Sequence, residues 1–275
     1  MPELPHDQAH GLRRLFAHHT VHMVPVLANS QLRAQDHLLE TLCSALAVQG
    51  MHTLVVDGQA RRGPIALDGE FADLGAWVQD GADLMPLIDS YDPHTSYFAA
   101  GPTLGDFSEV LYPPEGLLAA LAQSVPNVDV MLFRAPADHL AGLFGQSFTR
   151  PLIFTGNRPE AITESYAGIK TMVGMAGLAH FGLVVDREGL PQGGVDAGKR
   201  LSECVAEFLG GEVDCIARLD SAQHPIDPHL PEVQALARSM LHHALPYSLY
   251  ESENGLQWAP QPHALQAANA GPLWS

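Results

Sequence analysis

The hydrophobic positions of this chain fall into two patterns that alternate along its length. Short apolar and β-branched runs occupy 22–28 (HMVPVLA), 53–57 (TLVVD), 128–133 (VDVMLF), 151–155 (PLIFT), 181–186 (FGLVVD) and 213–219 (VDCIARL). They have strand length and are nearly continuous, as strands covered on both faces are. Between them, apolar residues recur at spacings of three and four over 34–48, 114–124, 159–175, 197–209 and 230–242, the period of an amphipathic helix. The alternation predicts a doubly wound α/β fold, a mostly parallel sheet with helices on both faces. Gly50 closes the first helical stretch and Pro113-Pro114 opens the second, where a proline at the first helical position is tolerated. The stretch 58–112, rich in Gly, Asp and Pro, predicts only one or two short edge elements. From about 244 onward the chain is turn-rich and lacks a clear core pattern. The expected organisation is an N-terminal helix over 1–20, an α/β domain over 21–245 and a C-terminal tail over 246–275.

Composition narrows the function classes. With 275 residues, 46% of them apolar, the chain can close one domain around a sizeable core. No apolar run reaches 18 residues, and the first 20 carry His, Asp and Arg where a secretion signal needs an apolar stretch, so a soluble cytoplasmic protein is expected. The balance of 14 basic against 31 acidic residues, a formal charge of −17, opposes binding to nucleic acid or to anionic lipid. Cys43, Cys204 and Cys215 are far apart in apolar neighbourhoods and read as core residues rather than a zinc or disulfide framework. The histidines are scattered without ligand spacing, so no metal site is expected. Lys170 and Lys199 are the only lysines in the chain.

In open α/β sheets the loop between the first strand and the first helix is the usual phosphate cradle, because backbone N–H groups point there. Here that loop reads ANSQLRAQD, residues 28–36, with neither glycine nor lysine. The segments TLCSALAVQG at 41–50 and TLVVDG at 53–58 nevertheless resemble, in order and spacing, the MinD/ParA family of P-loop ATPases. So does PLIFTGNRPEAITESYAGIK at 151–170. The resemblance implies a P-loop NTPase-like fold. It places Ser30 at the family's signature lysine, Gln35 at its phosphate-binding lysine and Asp36 at its magnesium-binding hydroxyl. It also places Asp57 at the acidic residue after the second strand, Arg134 (in VMLFRAPADH) at a metal-associated aspartate, and Asp186 (in LVVDR) at an adenine-contacting asparagine. Gln31 and Leu32 in place of glycines restrict close backbone approach to phosphate, and Asp36 adds negative charge beside a would-be polyanion. No bound nucleotide or other cofactor is therefore expected. A second match, GGVDAGK at 193–199, fits the phosphate-loop pattern, but Arg200 stands where a magnesium-binding hydroxyl belongs.

The opening HDQAHGLRRLFA is similar to the DQAxxLR signature of the flagellar-number regulators of this family, the FlhG/FleN group. The resemblance implies a short helix, with Asp7, Gln8, Ala9, Leu12 and Arg13 in contact, that docks on and stimulates an SRP-type GTPase (FlhF-like). Asp7 can cap a helix, Ala9, Leu12 and Leu15 or Phe16 can fill a groove, and Gln8 can orient a water in phosphoryl transfer. After Arg238 no Lys or Arg occurs, so a direct membrane anchor is not expected. Taken together, the residues point to a regulatory pseudo-ATPase. Two alternatives stay open: an active MinD/ParA-type ATPase with a pocket rewired around Arg134, Lys199 or Arg200, and a scaffold that dimerises with itself or with an active family member.

Overall fold

The apolar runs become strands at nearly the expected positions: β1 (Thr20–Leu27), β2 (Thr53–Asp57), β5 (Val130–Ala135), β6 (Leu152–Thr155), β7 (His180–Asp186) and β8 (Glu212–Leu219). The helical stretches become α1 (Gln35–Val48), α2 (Pro114–Ser124), α4 (Pro159–Ala176), α5 (Ala197–Leu209) and α6 (Pro231–His242). The computed structural model describes residues 20–59, 74–75, 77, 84–107, 113–125, 127–145, 147–188, 196–223, 225–252 and 255–260. The stretch 58–112 supplies β3 (Ile88–Ser90) and β4 (Thr95–Ala99), and an eight-residue helix, α3 (Ala137–Phe144), follows β5. Prolines at the first turns of α2, α4 and α6 fix φ where the missing N–H has no intrahelical partner. Gly177 and Gly210 end α4 and α5 at φ of 64° and 65°, a left-handed conformation that a Cβ would disfavour.

The strands order as β3-β4-β2-β5-β1-β6-β7-β8. All pair in parallel except β3 with β4. The chain therefore crosses over in both directions about β1 and β5, and the loops after these strands meet at one end of the sheet. In an open sheet, ligands gather at such a point. One face is covered by α1 and α6, whose Leu38, Leu39, Leu42, Leu46, Val233, Leu236 and Met240 pack on Val24, Val26, Val55 and Leu132. The other face is covered by α2 to α5, through residues such as Leu117, Leu140, Phe144, Ile169, Met172, Leu201 and Val205. Each fully buried leucine here contributes about 2 kcal/mol of transfer free energy.

Two expectations are corrected. Part of the tail belongs to the sheet: β9 (Leu245–Ser252) pairs antiparallel with the first half of β1 over Thr20–Met23, and β10 (Gly255–Pro260) pairs with β9. Leu245 and Tyr247 are buried on either side of half-buried Pro246, a period of two that the turn residues around it obscure. Of the cysteines, only Cys43 is in the core, where burial pushes its thiol up to about 12. Cys204 and Cys215 are exposed. The apolar stripe of α5 runs through Leu201 and Val205, leaving Cys204 outside it. Cys215 lies on β8, at the end of the ordered strands, next to an irregularity in its pairing with β7.

Candidate functional site

The loop after β1 is held shut by the chain's own polar groups. Asn29 is buried, and its Nδ2 donates to the Phe154 carbonyl at 3.2 Å, the Ala161 carbonyl at 3.0 Å and Ser165 Oγ at 3.0 Å, fixing the loop to β6 and α4. Gln35 at the start of α1 folds back on the loop: its Nε2 donates to the Leu27 carbonyl at 2.7 Å and its Oε1 accepts from the Asn29 amide at 2.8 Å. Ser30 and Gln31 turn toward Glu164 of α4. Its carboxylate accepts from the Ser30 amide at 2.9 Å, from Ser30 Oγ at 3.0 and 3.1 Å, and from the Gln31 amide at 3.1 Å. The backbone N–H groups that a phosphate cradle would direct outward are thus directed to side chains of the same chain.

Beside the loop lies a buried charged cluster. In the parallel register Asp57 of β2 stands directly opposite Arg134 of β5, and strand alternation points both toward α1, as it does their neighbours Val55 and Leu132. Among the described residues Arg134 is the largest fully buried side chain, only 1% exposed. Its Nη2 donates to Asp57 Oδ2 at 2.5 Å, and its Nη1 donates to Asp36 Oδ1 in the first turn of α1. Tyr97 of β4 donates its hydroxyl proton to the same Asp57 oxygen. Burial works against the Arg134 charge, but the attraction of Asp57 and then Asp36 outweighs it and holds the guanidinium above its usual pKa. Burial first, and then the Asp57 charge, push the Tyr97 phenol up, so it stays a neutral donor.

Asp186, at the end of β7, lies two strands from β1 in the order β1-β6-β7. It is fully buried and accepts from the Glu188 and Ser221 amides at 3.0 Å each and from Ser221 Oγ at 2.7 Å. It anchors a turn in which Glu188 adopts a φ of 50°. In the GGVDAGK segment, Gly193, Gly194 and Val195 lie outside the described residues. Asp196 caps α5 by accepting from the Lys199 amide at 3.2 Å and pairs with Arg218, while the exposed Lys199 pairs with Glu203 at 3.7 Å. Lys170 is exposed on α4. Asp7, Gln8, Ala9, Leu12 and Arg13 also lie outside the described residues.

Of the residues singled out from sequence, Ser30, Gln35, Asp36, Asp57 and Arg134 therefore meet at one end of the sheet, while Asp186 organises a separate turn. Sequence reading missed Asn29, Glu164, Tyr97 and Ser221. Glu164 stands inside the TESYA run already noted, but nothing local marks its partner, 134 residues away. Among the described residues no group of three or more His, Cys, Asp or Glu is arranged to hold a metal ion, and no helix is long and apolar enough to cross a membrane.

No family model matches the sequence, and no curated protein matches it. The fold does have solved counterparts. McdA of Cyanthece in its apo form superposes with a TM-score of 0.54 at 12% identity, over 81% of this chain and 99% of that one. A plasmid partition protein of Borrelia burgdorferi gives 0.52 at 11%, over 81% and 99%. The MinD cell division protein of Aquifex aeolicus gives 0.51 at 14%, over 82% and 99%. At such identities the likeness is one of fold, and that fold is the mostly parallel α/β architecture of the MinD/ParA-type ATPases.

Proposed function

We propose that this chain is a regulatory binding protein that does not run on ATP, a FlhG-like pseudo-ATPase that controls flagellar number or placement by stimulating an SRP-type GTPase. The observation that carries the ATP-independent part is the filled loop. Phosphate binding would require Ser30 and Gln31 to release the Glu164 carboxylate and Gln35 to leave two backbone groups, with no lysine to compensate. Asp36 and Asp57, which would face magnesium, are already paired with Arg134. The residues at these positions do not suit a magnesium–nucleotide, and no step of the proposed activity passes through one.

The partner is proposed from the DQAHGLR run at 7–13. Its Leu12 and Ala9 fit an apolar groove, and Gln8 is a neutral donor and acceptor suited to orienting an attacking water. Of the structural counterparts, the Aquifex MinD has been solved in complex with MinC, a precedent in this fold for acting through a protein partner.

The test combines two measurements on the full chain. A fluorescent ATP analogue with magnesium should show no saturable binding up to millimolar concentration, and the chain should accelerate GTP turnover by the flagellar GTPase. Gln8→Ala should keep the complex and lose the acceleration. Micromolar ATP binding that disappears on changing Lys199 would establish the rewired ATPase instead, and a partner GTPase indifferent to the chain would refute the activator role.

A further inference from the structure

We infer that Arg134 is a resident cation: its guanidinium takes the place of a divalent ion between Asp36 and Asp57 and fastens α1 to β2 and β5 without any ligand. The inference rests on the reading that the chain does not run on ATP. Asp57 is 2% exposed, and Asp36 reaches the same guanidinium from the first turn of α1, a different element. Two carboxylates converge here from separate elements, Asp57 buried and Asp36 partly exposed at 29%, and a positive charge between them offsets the cost of burying the first. Carboxylate oxygens of this kind are the donors a hard divalent cation takes. Here the charge is covalently attached to β5 instead.

Attachment changes the behaviour of the site. A bound metal ion leaves when its affinity or supply falls, and the elements it joins then separate. A guanidinium cannot leave, so the first turn of α1 stays tied to the ends of β2 and β5, and through the Tyr97 hydroxyl on Asp57 to β4. Among the described residues the cluster holds two carboxylates and one guanidinium, so deleting the arginine removes the counter-charge that the two acids share there. The end of the sheet is thus fixed in one arrangement by side chains of the chain itself.

The experiment is a melting-temperature series on the full chain in EDTA and against magnesium or manganese chloride, with sodium chloride of matched ionic strength as control. The wild type should be indifferent to the divalent ion. Arg134→Asp supplies a third carboxylate, and should melt lower in EDTA and recover by about 4 °C at ten times the ion's dissociation constant. An Arg134→Asp protein as indifferent as wild type, or an Arg134→Met protein as stable as wild type, overturns the inference. Should Arg134→Asp fail to fold, Asp36→Asn combined with Arg134→Met decides: neutralising one acid should recover part of the loss caused by Arg134→Met, and no recovery overturns it. A wild type stabilised by magnesium–ATP would overturn the ATP-free reading; a wild type indifferent to magnesium–ATP alongside an Arg134→Asp protein indifferent to cations would overturn only the present inference.

Discussion

Glu164→Ala tests whether the loop after β1 is closed by the carboxylate that faces it. In the structure this side chain accepts from two consecutive amides and a hydroxyl, at 2.9–3.1 Å. Hydrogen bonds to a charged acceptor contribute about 1.5–3 kcal/mol each when buried. Ser30 and Gln31 are exposed, however, so water replaces the carboxylate on truncation, and the whole contact is worth about 1–2 kcal/mol after screening. A loss of that size raises the open population of the loop by a factor of roughly 5–30. The assay is amide hydrogen exchange resolved at Ser30 and Gln31, with urea denaturation for the global effect. The Ser30 amide should exchange faster by that factor and the Gln31 amide by less, because it also donates to Asn29 Oδ1 at 3.1 Å, while the Asn29 amide, bonded to Gln35 instead, should change little. Glu164→Gln keeps the shape and one neutral acceptor, so its effect should fall between wild type and Glu164→Ala. Unchanged exchange at Ser30 in the alanine variant would refute the reasoning, because the Glu164 carboxylate is the acceptor that its amide meets.

Two further outcomes follow from buried groups. Gln35→Ala removes the partners of the Asn29 amide and the Leu27 carbonyl together, and should cost about 2–4 kcal/mol by urea denaturation; a variant within 0.5 kcal/mol of wild type, roughly the scatter of neutral surface changes, would show that the loop does not depend on it. His22 is held below its ordinary pKa by burial, against the opposing pull of Asp129, so the unfolded chain takes the proton first as pH falls. Stability should therefore decline as pH drops from about 6.5, the unperturbed histidine value, toward the folded-state value. His22→Gln should flatten that slope, and an identical pH profile in the variant would contradict it.

Much of the fold is legible because strands buried on both faces announce themselves by composition. VVD at 55–57 and MLF at 131–133 have no amphipathic alternative. The parts that escaped are those where local signals conflict with tertiary placement. The pair β9–β10 is interrupted by Pro246, and its core contribution is carried by alternate residues such as Leu245 and Tyr247 rather than by a run. The helix α3 is eight residues long, too short for periodicity to separate it from a loop. Cys204 sits next to Val205 in sequence yet points elsewhere, since neighbours on a helix are about 100° apart.

The candidate site was legible residue by residue and illegible as an arrangement, and the reason is topological. Asp36, Asp57 and Arg134 were each singled out by the resemblance to the MinD/ParA family, one at a helix start, one at a strand end and one in an apolar strand. Their meeting depends on β5 lying between β1 and β2, which sets Asp57 and Arg134 in register across adjacent strands. Strand order is decided by crossover connections that hydrophobic period does not encode. The same holds for Glu164, which reaches the loop only because β6 lies beside β1 and starts the crossover into α4. Once the order is known, alternation alone places Asp57 and Arg134 on the α1 face, and charge then demands that they pair. By supplying the opposite charge at the place where two carboxylates converge, Arg134 ties the first turn of α1 to the ends of β2 and β5 through side chains of the chain itself.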